Sequence, residues 1–122
     1  MKNLLLTTVM GAFALAMASA PTIASADEDA EKLFKKRCAA CHSAEAGKHL
    51  SGPSLAGIMG RKAGSTDFTK YTGLKGSDVV WDENNLDEFL ADPKKFVGEK
   101  TMAYKLKKED ERKVIIEYLK SL

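Results

Sequence analysis

The five residues CAACH, 38 to 42, hold both cysteines of the chain and one of its two histidines. Two thiols three positions apart sit about one helical turn from each other, so both can reach one edge of a flat bound group. Each can add to a vinyl substituent to form a thioether, and the histidine that follows is then held beneath the centre of that group. C-x-x-C-H is the attachment pattern of a c-type haem. In that reading Cys38 and Cys41 tether the macrocycle and His42 ligates its iron.

Other uses of the same residues compete. A structural zinc site needs about four ligands. Cys38, Cys41, His42 and His49 are the soft donors available, and the adjacent Cys41 and His42 fit one tetrahedron poorly. A thioredoxin-like dithiol places C-x-x-C at the start of a helix within a βαβ unit; here the motif closes a helical segment in a chain without sustained strand alternation. A plain disulfide suits an oxidising compartment. The residues alone leave all three open.

The elements that must position the motif read as helices. The first is DEDAEKLFKKRCAACH, with Asp27 or Asp29 as its cap and Ala30, Leu33, Phe34, Arg37 and Cys38 at helical spacing. The second is DENNLDEFLADP, capped by Asp82, carrying Leu86, Phe89 and Leu90 on one stripe and ended by Pro93. The third is KKEDERKVIIEYLKSL, with Ile115, Tyr118 and Leu119 on one face. Between the first two, glycines interrupt residues 43–80, a long irregular stretch for a small domain. So few core residues imply that something other than side chains fills the middle. A large apolar cofactor would do so.

The chain has 122 residues, enough for one domain. Residues 1–26 read as a secretory signal peptide: Lys2, an apolar run from Leu4 to Ala18, and small residues at two cleavage patterns. Ala18-Ser19-Ala20 is followed by Pro21, a poor residue after a cut, whereas Ala24-Ser25-Ala26 precedes Asp27. Cleavage after Ala26 is expected, leaving one domain over 27–122. The apolar run is short of the ~20 residues of a full span, so stable membrane insertion is not expected. Periplasmic export also suits a c-type haem protein, since bacterial ones are assembled outside the cytoplasmic membrane.

The formal charge of +2 argues against nucleic-acid binding. It is unevenly spread, with acids in DEDAE (27–31) and WDENNLDE (81–88) and lysines in KKR (35–37), PKK (93–95) and KLKK (105–108). Such a dipolar surface would steer an acidic partner.

Taken together, the chain resembles the small monohaem class I cytochromes c, of bacterial periplasmic and mitochondrial type, along nearly all of residues 27–122. Phe34 four residues before Cys38, GPSLAGIMGRKAG (52–64), WDENNLDEFLADPKKF followed by Met102, and EYLK (117–120) carry the resemblance. It implies an all-α class I cytochrome c fold. Helices wrap around one covalently attached haem c, and the N- and C-terminal helices cross.

The resemblance also implies Met102 as sixth ligand, in the loop after the second helix, while Met59 takes the place of an apolar packing residue. It implies that Pro53 offers its carbonyl to His42 Nδ1, and that Arg61, Tyr71 and Trp81 donate to the haem propionates, with Thr101 beside Met102 as a further donor. Phe89 stands where many relatives have a tyrosine. His49, in a polar loop, is expected to be a surface histidine.

The implied function is a soluble, monomeric one-electron carrier without enzymatic activity, shuttling between membrane or periplasmic redox complexes. Acidic partners would dock at the exposed haem edge among Lys36, Lys48, Lys94, Lys95 and Lys100. The alternative is a small haem peroxidase or haem-based sensor with a displaceable Met102.

One departure from the family pattern generates a prediction. Val97 precedes Gly98 where a proline is usual, and proline would have restricted the loop before ligation. The Met102–iron bond is therefore expected to yield readily to imidazole or alkali, and a titration of the ferric protein that met ordinary resistance would contradict this.

Overall fold

The computed structural model describes residues 24–97 and 102–122, together with Gly11. Four helices form among the described residues: α1 (Ala24–Arg37), α2 (Glu83–Ala91), α3 (Pro93–Val97) and α4 (Glu109–Lys120). Among the described residues the extended pairing is confined to two isolated bridges, His42 with His49 and Lys62 with Val80. The fold is all-α.

α1 departs from its expected bounds at both ends. It begins at Ala24, so Asp27 lies within its first turn, where a negative charge favours the helix N-terminus, and neither Asp27 nor Asp29 caps it. It stops at Arg37 because the Cys38 and Ala39 N–H groups both donate to Phe34 O, at 2.8 and 3.1 Å. The Cys41 and His42 N–H groups then share Cys38 O, at 3.1 and 2.9 Å. CAACH is thus a tight turn of its own, hung on the last carbonyls of α1.

α2 starts as expected. Asp82 accepts from the Asn85 N–H at 2.8 Å and Asn85 Oδ1 accepts from the Asp82 N–H at 2.8 Å, a reciprocal cap. Pro93 ends this helix and at once opens α3 at its first position, where a missing N–H costs nothing. Asp92 caps that second start by accepting from the Lys95 N–H at 3.2 Å.

α4 packs against both α1 and α2, and α2 packs against α3. Across the contact of the first and last helices the Phe34 and Tyr118 rings lie 5.0 Å apart. Ile115 and Leu119 are buried as expected, Tyr118 is half-buried, and Ile116 is buried as well. Ile116 joins the core because α4 is covered on two sides, which widens its apolar stripe beyond one helix face. Arg37 Nη2 donates to Glu111 Oε1 at 3.0 Å, tying the end of α1 to the start of α4 immediately before Cys38.

The irregular stretch is fastened at two necks. The first loop closes through the Gly52 N–H to Cys41 O at 2.8 Å and the Leu55 N–H to Ser43 O at 2.9 Å. The second closes through Gly60 N–H to Trp81 O (2.8 Å), Trp81 N–H to Arg61 O (3.0 Å) and Ala63 N–H to Val79 O (2.7 Å). At that neck Gly64, with φ +68°, passes so close to Leu74 O that a Cβ would stand 2.2 Å from it. Trp81 then stacks into an aromatic group with Phe89 and Phe96, at 5.1 and 6.0 Å.

Ile115 is 1% exposed at the centre of this core, whereas Val114 beside it is 39% exposed. Ile115→Ala should cost about 2–5 kcal/mol in denaturant unfolding, and Val114→Ala no more than about 0.5 kcal/mol. Equal losses would mean that α4 does not pack through this face.

Candidate haem site

His42 is the most constrained side chain of the motif. Its Nδ1 lies 2.7 Å from Pro53 O. A carbonyl oxygen only accepts, so Nδ1 carries the proton and Nε2 keeps the lone pair that a metal requires. Burial lowers the pKa of His42, partly offset by the bond to Pro53; the imidazole stays neutral, its ligating form. The ring rests on Gly52, where a Cβ would stand 2.4 Å from Cε1 and 2.7 Å from Nδ1. The Gly52-Pro53 pair is therefore both floor and hydrogen-bond partner for the ring.

The two thiols are not bonded to each other; Cys38 is half-buried and Cys41 exposed. Burial pushes the Cys38 thiol up to about 11. A thiol kept protonated is a poor redox nucleophile. Among the described residues no group of three or more His, Cys, Asp or Glu could hold a metal ion by itself. His49 turns away into contacts of its own, so the four-ligand zinc set does not assemble.

Those contacts correct the expectation of a surface histidine. The His49 side chain is 18% exposed. The Ser54 N–H donates to its Nδ1 at 3.0 Å, which places the ring proton on Nε2, donating to Asp67 Oδ1 at 2.5 Å. His49 thus acts here as a neutral bridge between the first loop and the second. The Asp67 carboxyl is held below its usual range chiefly by that hydrogen bond. Ser54, 2% exposed, adds a bond from Oγ to Glu45 O at 2.6 Å. The contact of Pro53 with the ring is the one the family resemblance implies, whereas the buried Ser54 and the close approach of Gly52 to the ring escaped sequence reasoning.

The remaining candidates lie around the second neck and the core. Arg61 donates from Nη1 to Ala56 O at 2.9 Å and from Nη2 to Ser54 O at 3.1 Å, and burial lowers its pKa. These bonds use two of its five N–H groups. The Tyr71 hydroxyl is 2.5 Å from Thr66 Oγ1, and Trp81 is buried in the aromatic group. Met102 is half-buried against the core, as is Met59. Thr101, Lys100 and Gly98 fall outside the described residues, as do nearly all of residues 1–23.

The donor set fits a covalently attached haem: two free thiols on one turn, a neutral imidazole with its ligating nitrogen fixed, and a half-buried thioether after α3.

Comparison with known proteins agrees. The cytochrome c family model matches residues 28–122. A cytochrome c2 iso-2 of Magnetospirillum molischianum is 50% identical over 88 residues, covering 70% of this chain and 90% of that protein. A cytochrome c of Ginkgo biloba is 43% identical over 93 residues, covering 74% of this chain and 82% of the relative. One of Kluyveromyces lactis is 38% identical over 103 residues, covering 82% and 94%.

The floor under His42 yields a direct test. Gly52→Ala must move either the ring or its loop, with an expected loss of about 1–3 kcal/mol from overpacking, read by denaturant unfolding of the haem-bearing protein. Unchanged stability would show that the ring does not rest on Gly52.

Proposed function

This chain belongs to the cytochrome c family, and we propose that in it His42 and Met102 are the two axial ligands of the haem. It is an electron carrier bearing one haem c, held covalently through Cys38 and Cys41. The observation that carries the ligand reading is the 2.7 Å contact from His42 Nδ1 to Pro53 O, one residue past the tethering thiol, which leaves Nε2 for iron. When bound, the haem supplies a one-electron ferric–ferrous couple, whose potential a thioether ligand raises.

The protein's part is to bind, orient and bury. Pro53 fixes the imidazole; Met102 would take the position that any external ligand needs. With both axial positions filled from the chain, a substrate or gas binds only by displacing a residue. That favours electron transfer over the peroxidase and sensor alternatives. Arg61 retains N–H groups beyond those used on Ser54 and Ala56. With Tyr71, Trp81 and Thr101 it is proposed to donate to the propionates, since a buried carboxylate needs donors or a counter-charge.

The partners are redox proteins. Their acidic character is part of the proposal: Lys36, Lys94 and Lys95 are exposed, and Lys48 reaches Glu45 at 3.4 Å. With Lys100 they would ring the haem edge and favour fast, salt-sensitive association of a monomeric carrier. No described helix is long and apolar enough to cross a membrane. Residues 1–26 are proposed to be a signal peptide removed on export to the periplasm, leaving residues 27–122; an intact mass of the exported protein beginning elsewhere than Asp27 would overturn that boundary.

The optical spectrum tests the ligand reading. Haem that survives acid–acetone extraction, a weak ferric charge-transfer band characteristic of methionine sulfur, and no reaction of the ferrous protein with carbon monoxide are expected. Carbon monoxide binding at rest would favour the peroxidase or sensor alternative. Reduction by the partner should slow as ionic strength rises, and a salt-independent rate would remove the lysine ring.

A further inference from the structure

The chain on the C-terminal side of Met102 is held by one arginine. Arg112, on the first turn of α4, has a side chain only 11% exposed. Its Nε donates to Asp87 Oδ1 of α2 at 2.7 Å, while Nη1 donates to Leu106 O and to Lys107 O, each at 2.9 Å. The same segment is fixed at two further points. The Leu106 N–H donates to Leu90 O at 2.8 Å, and Lys105 Nζ reaches Asp92 Oδ2 at 2.7 Å. Leu106 is itself buried, 3% exposed. Residues 105–107 are therefore pinned to α2, to the α2–α3 junction and to α4.

Met102 stands four residues upstream of Leu106, within a span of about 14 Å at most. On its other side, Val97 to Met102 includes Gly98 and lacks the proline that would stiffen it. The flank on the C-terminal side of Met102 is the one with fixed anchors. We propose that Arg112 is a positioning residue for the sixth ligand, setting where Met102 can stand by fixing the carbonyls of Leu106 and Lys107. This rests on Met102 as the ligand.

Only the planar fork of an arginine suits this task. One nitrogen spans two successive carbonyls while another faces Asp87, and the geometry between them is rigid. A lysine keeps the charge but has one nitrogen where the arginine uses two, so pairing with Asp87 draws it away from the two carbonyls. Removing Asp87 does the reverse, breaking the ion pair and leaving the carbonyl clamp. The two substitutions separate positioning from simple charge pairing.

The experiment uses full-length, haem-bearing protein exported by its own leader. In wild type, R112K, R112A and D87N, the methionine charge-transfer band of the ferric protein is followed against pH, and denaturant unfolding is measured beside it. R112K is expected to lose the band at least one pH unit below wild type, a tenfold easier displacement, and D87N within about half a unit. R112A should shift at least as far as R112K; should it not accumulate, the comparison of R112K with D87N decides alone. A shift in R112K no larger than in D87N overturns the proposal. So does an unmoved midpoint accompanied only by lower resistance to denaturant, which would make Arg112 a structural residue of α4. A wild-type protein without the band would overturn Met102 as ligand, and this inference with it.

Discussion

The hydrogen bond from His42 Nδ1 to Pro53 O is the constraint around which the molecule is arranged. It requires the loop after the motif to return within 2.7 Å of the ring, and it requires Gly52, because any Cβ there would strike the imidazole. Once those conditions hold, one ring nitrogen is committed to the protein and the other keeps the lone pair that a metal would require. The turn that carries Cys38 and Cys41 is fixed by the same bonds, since the Gly52 N–H closes on Cys41 O. Tethering and ligation are thus positioned by one loop.

That loop has no regular structure to stabilise it, and the fold compensates with bonds between irregular segments. His49 links it to Asp67 of the second loop, and Arg61 links the second neck back to Ser54 and Ala56. The helices supply the rest of the frame: α1 delivers the motif, α4 lies against α1 and α2, and Arg37–Glu111 joins the two ends beside Cys38. The loops thereby behave as parts of the site, consistent with functional residues carried on irregular chain over a rigid scaffold.

Much of this was legible in the residues. Helix type, the Asp82 cap, the apolar residues Phe34, Leu86, Phe89, Ile115 and Leu119, and the haem attachment sequence follow from spacing and composition. The exact ends of α1 were not, because acids near a helix start fit either a cap or a first turn; the chain simply begins its helix earlier. Ile116 was missed because periodicity describes one buried face, and tertiary packing supplied a second. His49 was misjudged for a related reason. A polar loop looks solvent-exposed until another loop, 18 residues away in sequence, closes over it. The clamp made by Arg112 belongs to the same class: three acceptors from distant positions converge on one side chain, and no local pattern announces it.

In the proposed ligation the chain itself would supply both iron ligands, His42 and Met102. Proton–carbon NMR of the ferrous protein with ¹³C-methyl methionine tests it most directly, because the ring current of the macrocycle shifts a methyl on a ligating sulfur far upfield. The Met102 methyl, assigned by its loss in a Met102 variant, is expected well outside the normal envelope, with Met59 near its usual place. A displaced Met59, or both methyls in the ordinary range, would contradict the account.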